Sequence, residues 1–484
     1  MTKNENSLNW FEIPALSALV EQFYERIGVD SRKFKYQEWG EPPPEMPLSR
    51  TSYHHARQLP TVPNYGFYFG ARFGRQPGMW LADPWNNLER APFSAQVRSD
   101  FAKYLKESIQ SHLSPRHHSE AELRHLDTMT SEDALIEQFG LSREFIRLFI
   151  APHAAAAMGV GPDALSGYWY SRWLAKGDEM QRHSFPGGNT GFPRHIVKTL
   201  IPEAILGPAT LEAVCQNRVN FSVLDSPANQ VRIRLRSTAV RVEHEGDPDK
   251  SAFVYVTYTR DGKSYRLKAR GVIMAGGGWV NKHVVRDLPS EHRDAYNQFN
   301  YSACLVANVA LRNWRFLHKL GLSGGRWFEG FGYWTEVRTV ATFGSDSKTI
   351  GPDSPVVLTL VVPLLYPGLP TADQGHRGRG ELISTSFLQY ERRIREQFVQ
   401  MFSRSGFDPR KDIAGIVLNR WGHAFVNPQP GFMFGKDGKG SPGETLRKGP
   451  FGRIAFAHTD LTGDMEHNHS IEEGHRAVTQ LVSV

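Results

Sequence analysis

Cysteine is nearly absent from this sequence. Only Cys215 and Cys304 occur in 484 residues, and neither CxxC nor CxxCH is present. That excludes c-type haem attachment and argues against a cysteine-built zinc site; no metal is expected. No run of about 18 apolar residues exists, so no membrane span is expected. The opening MTKNENSLNW lacks the basic and apolar stretches of a secretory leader, and the chain as written reads as cytoplasmic. Charge of one sign does not cluster. The 57 basic and 50 acidic residues leave a net +7 scattered along the chain. This argues against nucleic-acid binding and suits an anionic cofactor or an acidic protein partner. Internal repeats and low-complexity segments are also missing.

What is present is a globular balance, 40% hydrophobic and 22% charged, on a length that suits two or three domains. Residues 1–180 read mainly as helix and loop. SALVEQFYERIG has helical spacing and a glycine stop, SAQVRSDFAKYLKESIQSHL continues the pattern, and TSEDALIEQFG opens on a Thr130/Asp133 capping box. The stretch TVPNYGFYFGARFGRQPGMWLADPW between them is punctuated like a loop. From 207 to 279 the pattern turns to strands, with VRIRLRSTAVRVEHE alternating and a hairpin turning at Asp261-Gly262. Further strands are CLVANVALR, YWTEVRTVATF, PVVLTLVVPLL and DIAGIVLNRW, and SFLQYERRIREQFVQMFSRSG is a long amphipathic helix. The chain closes as a strand, GRIAFAHTD, and a helix with a Ser470/Glu473 capping box.

A dinucleotide phosphate loop needs an apolar strand, GxGxxG and then a helix. The one near-match, GVGPDA (Gly159, Gly161, Ala164), follows FIRLFIAPHAAAAM, which is helical in character. It reads as a glycine break between helices. The glycines Gly276–Gly278 do follow a strand, but WVNKHVVRDLP is short and polar for the packing helix. No N-terminal dinucleotide fold is therefore expected within the chain.

Five stretches occur in a telling order: PGGNTGFPRHIVKTLIPEAI, IRLRSTAVRVEHE, ARGVIMAGGG, GFDPRKDIAGIVLNRWGHAF and FGRIAFAHTD. Together they resemble the flavin-dependent amine oxidase superfamily, and within it the spermidine dehydrogenase-like FAD/NAD(P)-binding proteins. The resemblance implies an α/β (α+β) fold: a Rossmann-like FAD domain lacking its N-terminal βαβ unit, and an antiparallel-sheet substrate domain. It divides the chain into a helical region (1–180), a discontinuous FAD-binding domain (181–290 and 450–484) and a substrate domain (291–449). It implies FAD as cofactor and oxidation of a small-molecule amine, a polyamine such as spermidine among the candidates, by hydride transfer to flavin N5. The glycine-rich loop would come from upstream sequence or a second polypeptide. A non-catalytic subunit or remnant and a flavin-dependent desaturase stand as alternatives.

The same resemblance distributes roles. Asp460 would contact the ribityl–pyrophosphate part of FAD, Ser470 and Ile471 would open the last helix beneath the flavin N1–C2=O edge, Val240 would lie beside the adenine, and Ala275 and Gly276 under the dinucleotide. Gly187, Gly188 and Phe192 of PGGNTGF would border the flavin and substrate cavity. Trp421 and His423 alternate on one strand face; the ring would hold an amine by cation–π contact and the histidine would take its proton. Trp327, Glu329, Trp334 and Glu336 read either as a polycation site or as surface strand residues. The lysine that many amine oxidases place near flavin N5 is replaced by Val306, Ala307 or Asn308, which favours a dehydrogenase passing electrons to a protein acceptor.

Overall fold

The structure, a computed structural model, describes residues 11–13, 17–36, 46, 48, 64–105, 118–169, 181–183, 185–337, 341–343 and 350–483. The first part of the chain supplies β1 (Tyr65–Phe69) and β2 (Met79–Ala82). An antiparallel meander follows, β3 (Thr238–His244), β4 (Val254–Arg260) and β5 (Lys263–Ala269), then the short β6 (Val272–Met274). The next strands are β7 (Asn300–Leu311), β8 (Gly324–Trp327), β9 (Trp334–Glu336) and β10 (Val356–Val362). The last two are β11 (Ile413–Asn427) and β12 (Ile454–Phe456).

The molecule mixes helices with largely antiparallel sheets. β7 is the central strand of one, with β10 and β11 antiparallel on its two sides. Its run CLVANVAL is apolar without alternation because both faces are covered. Val306 stands opposite both Val361 and Asn419. Helix Thr371–Ser384 covers this sheet, and Gly375 is placed so that a Cβ would come 2.3 Å from the Tyr301 carbonyl. β6 and β12 form a separate parallel pair, Ile454 beside Val272 and Phe456 beside Met274. Among the described residues no helix is long and apolar enough to cross a membrane.

Local signals place many elements where the sequence puts them. Helix Ala18–Ile27 ends on Gly28 at φ 73°, the β4–β5 hairpin turns at Asp261 and Gly262 with φ 49° and 74°, and helix Phe387–Phe402 carries a Ser386/Gln389 capping box. Thr130 caps the helix Ser131–Phe139, and Gly159 (φ 69°) closes Ala151–Met158, so GVGPDA is a helix end. YWTEVRTVATF forms β9 and the short strand Ala341–Thr342, with 338–340 outside the described residues. Residues beyond Leu105 in SAQVRSDFAKYLKESIQSHL lie outside them too.

Two expectations fail. Within the stretch read as loop, Tyr65–Phe69 and Met79–Ala82 are strands, joined by a connection that holds the short 3-10 helix Ala71–Phe73. β1 is buried along its whole length and pairs parallel with β8 and antiparallel with β2, in the four-stranded order β9-β8-β1-β2. Gly66, which looks like punctuation, marks close packing: a Cβ there would lie 2.7 Å from Leu322 and 2.9 Å from the Trp80 ring. Phe67 packs edge-on against Trp85 and Phe328 at 5.3 and 5.1 Å. The second failure is the start of β3. VRIRLR alternates but is no strand, because Arg232 and Arg234 turn to pair with Asp225 at 2.8 and 2.9 Å, and 211–216 is helix.

Asp127 ties three separate segments. Its buried carboxylate accepts from Ser166 Oγ at 2.6 Å and from the Met433 and Phe434 amides at 3.0 and 2.9 Å. Removing it strands two backbone donors. Asp127→Ala is expected to lose about 2–4 kcal/mol, read as a lower urea midpoint at unchanged slope; an unmoved midpoint would show that the clamp contributes nothing.

Candidate functional site

β6 and β12 run in the same direction, so their carboxyl ends share one edge, the place where parallel strands receive ligands. After β6 the chain presents exposed Ala275 and Gly276 and then starts helix Gly278–Val284. After β12 it reaches Asp460, which is 7% exposed. The Asp460 carboxylate accepts from Tyr301 Oη at 2.8 Å and from the Gly278 amide at 3.4 Å. Gly278 must lack a side chain, since a Cβ would sit 2.7 Å from Tyr301 Oη. Burial and the adjacent Asp460 charge push the Tyr301 hydroxyl pKa far up, so it remains a donor.

His458 sits on the same turn at φ 134°, a conformation that non-glycine residues adopt only under constraint. Its Nδ1 is 3.1 Å from Asp460 Oδ1 and 3.2 Å from the Asp460 amide. A protonated Nδ1 selects the carboxylate; a bare one accepts from the amide. Burial opposes the charged form, but the hydrogen bond to Asp460 and its charge prevail and raise the histidine pKa.

His423 lies two residues beyond Trp421 on β11, and both are exposed. His423 stacks on the Trp279 ring at 4.0 Å and 8°, and meets Tyr301 edge-on at 6.0 Å. These three line a cleft of about 650 Å³ together with Lys282, His376 and Arg379. No carboxylate lines it among the described residues. Arg379 is anchored by the Gly422 and Tyr301 carbonyls at 2.8 and 3.1 Å. Burial, then Arg379 and His376, lower the His423 pKa, leaving a neutral imidazole able to accept a proton. Trp421, 51% exposed, is not among the lining residues.

A second group forms around PGGNTGF. Gly187 and Gly188 turn at φ 77° and 92°, and a Cβ on Gly187 would meet Phe343 at 3.2 Å. Phe192, at the start of helix Gly191–Leu200, packs against Tyr24 and His467 at 5.7 and 5.3 Å, and Ile471 joins the same apolar cluster. The Tyr24 hydroxyl hydrogen-bonds His467 Nε2; burial and His469 push the His467 pKa down to about 4. Val240 belongs to neither group; it is exposed on β3 at a bulge.

The terminal capping box is corrected. The helix opens at His467 behind Glu466, not at Ser470 and Ile471. Ser470 is exposed in its first turns, and Glu473 is buried, paired with Arg447 and Arg476 at 2.8 and 2.7 Å. The aromatic–acid stretch is corrected as well. Trp327, Trp334 and Glu336 are buried in the β8–β9 region, not at the surface, while Glu329 accepts from the Arg72 amide. Val306, Ala307 and Asn308 are all buried in β7, and Asn308 Oδ1 accepts from Thr359. The sequence reading overlooks Trp279, Tyr301, His376, Arg379 and His458. Trp279 directly after three glycines, and His458 two residues before Asp460, are the available signals.

These residues fit FAD at its polar, hydroxyl-bearing parts. The β6 and β12 ends offer accessible small backbone at Ala275 and Gly276. A pyrophosphate does not fit at helix Gly278–Val284, because the Asp460 carboxylate already faces its first amide.

The His458–Asp460 contact has a pH signature. The folded histidine pKa is raised above its ordinary 6.5, so the contact stabilises the fold below that value and is lost as pH rises through the folded pKa. Denaturation midpoints of the parent should therefore fall, relative to His458→Gln, as pH climbs above 6.5. Parallel midpoints across pH would mean that the ion pair does not form.

No protein-family model matches the sequence, and no curated protein does. Solved structures match it over nearly its whole length. Cyclohexylamine oxidase from Brevibacterium oxydans is 13% identical with a TM-score of 0.55, over 96% of this chain and 85% of that one. Putrescine oxidase bound to putrescine is 12% identical with a TM-score of 0.56, over 98% and 88%. A triple mutant of putrescine oxidase gives 0.57 at 12% identity, over 98% and 87%. At these identities the likeness is one of fold: the chain has the fold of these amine oxidases.

Proposed function

We propose that the chain is an FAD-dependent oxidoreductase acting on an amine, or the larger part of one. The observation that carries this is the chain-long fold likeness to structures named as amine oxidases, one of them holding putrescine. A polyamine such as spermidine is the finer substrate reading, and a protein electron acceptor the finer reading of its oxidative half. The pyrophosphate loop is assigned to residues other than Gly276–Gly278, in this chain or in a second polypeptide.

Bound FAD supplies the hydride acceptor. The chain's own residues supply the rest. Ala275 and Gly276 would let the cofactor approach backbone, and Asp460 holds Tyr301 and helix Gly278–Val284 in place. Trp279, stacked on His423, gives the cleft an aromatic wall. Neutral His423 takes the proton of an arriving ammonium, since hydride leaves only a free amine readily. Phe192, Tyr24 and His467 form a separate packed aromatic group. A scaffold subunit that binds no FAD is the second reading, favoured by the occupied amide at Gly278. The desaturase reading calls for a long apolar tunnel, and the cleft here is lined by histidines, lysine and arginine.

The test is anaerobic titration of the FAD-loaded chain with putrescine, spermidine and cyclohexylamine, following flavin absorbance. Bleaching by an amine supports the proposal; flavin that binds and resists every amine removes the amine reading, and failure to retain flavin favours the scaffold only if it persists with a second polypeptide that carries the phosphate loop. His423 has its pKa below the ordinary 6.5, so reduction should slow as pH falls past that pKa, and His423→Asn should flatten the acid limb. An unaltered profile would place His423 outside the proton path.

A further inference from the structure

The turn into the terminal helix brings three metal-ligating side chains together. Asp464, Glu466 and His469 each offer one ligand atom, and these atoms all lie within 4.8 Å of one another. His469 Nε2 is 3.6 Å from Asp464 Oδ2 and 3.7 Å from Glu466 Oε2. The backbone sets this register. Glu466 stands just before helix His467–Val482, and His469 follows three positions on, about one turn along. Gly463 turns at φ 71°, and Thr459 Oγ1 lies 3.0 and 3.1 Å from the Asp464 and Glu466 carbonyls. Asp464 Oδ1 accepts from the Met465 amide at 2.7 Å, while Oδ2 is the oxygen near the histidine.

The histidine is the member that asks for a cation. Its Nδ1–H donates to Glu472 Oε2 at 3.2 Å, and Glu472 Oε1 accepts from Ser17 Oγ at 2.9 Å. An ionised carboxylate only accepts, so this bond fixes the tautomer and leaves a lone pair on Nε2. Nε2 is buried and has no hydrogen-bond partner. That lone pair faces two carboxylate oxygens, too far away for hydrogen bonds. The Asp464, Glu466 and His469 side chains are only 9, 9 and 14% exposed, which limits relief by bulk water. Ligand atoms around a tetrahedral ion with bonds of about 2.0–2.2 Å stand about 3.3–3.6 Å apart. The spacing at Nε2 is close to that. An imidazole whose other N–H is held by a carboxylate is also the common outer arrangement of a metal-bound histidine.

We propose that Asp464, Glu466 and His469 bind a divalent transition-metal ion, zinc foremost, with water completing its shell and Glu472 positioning the histidine. The imidazole favours zinc over magnesium and calcium, which prefer oxygen alone. Bound there, the ion ties the segment after Asp460 to the first turn of the terminal helix. The expectation of no metal rests on scarce cysteine, and this ligand set uses none. The site stands apart from the amine reading and does not rest on it.

The experiment strips the full chain with a chelator, removes the chelator by dialysis and titrates zinc chloride near neutral pH. Calorimetry and thermal unfolding are the readouts, with magnesium chloride as the control. Zinc should raise Tm with the logarithm of its concentration, and magnesium should not. His469→Gln should lose the zinc-dependent rise. Glu472→Ala keeps all three ligands and should weaken zinc binding about 10–100-fold, which keeps the test valid if His469→Gln does not fold. A buried nitrogen that carries only a proton would leave the parent with no zinc-dependent shift. That result, or equal zinc affinity in the parent, His469→Gln and Glu472→Ala, would overturn the proposal.

Discussion

A buried carboxylate, Asp460, fixes the relative position of the end of β12, the helix Gly278–Val284 and the beginning of β7. An ionised acid has only lone pairs to offer, and inside a protein its charge-assisted bonds are stronger and more exacting than in water. The contacts then close on themselves. Asp460 holds the Tyr301 hydroxyl, the Tyr301 ring meets His423, His423 stacks on Trp279, and Trp279 is the second residue of the helix whose first amide Asp460 accepts. The cleft is shaped by this ring of contacts more than by any one strand.

Electrostatics gives the cleft a preference. Arg379 and His376 help keep the His423 imidazole neutral. The field that leaves it free to take a proton is the same field that resists an ammonium ion. Under the amine reading proposed above, the neutral form of the amine suits this environment better than the ammonium. Lys282, which also lines the cleft, strengthens the bias.

The sequence discloses what local forces decide. Apolar runs give β7 and β10, an Asp-Gly pair gives the β4–β5 turn, and Gly28 stops its helix. It hides what distant segments decide. β1 is paired on both edges, by the nearby β2 and by the distant β8, and Trp327, Trp334 and Glu336 are buried in the sheet that this pairing builds. Ser470 and Glu473 have the spacing of a cap, but Arg447 and Arg476 claim the glutamate for the interior. Of the residues that the resemblance singles out, Asp460, Ala275, Gly276 and His423 gather on one side and Phe192 and Ile471 in another cluster, whereas Val240 and Trp421 are exposed. Tyr301 carries no sequence mark of its role, which arises from a carboxylate some 160 residues away.

The parallel pairing of β1 with β8 also sets a schedule for synthesis. Tyr65 waits for Gly324, about 260 residues later in the chain. At roughly 5–20 residues per second the partner strand emerges about 13–50 s after β1. During that interval YGFYF, an aromatic strand, has only β2 beside it and its other edge stays open. A nascent chain of this design spends much of its translation with one edge of its stickiest segment unpaired, and its yield in a cell depends on what shields that edge until residue 327 has been added.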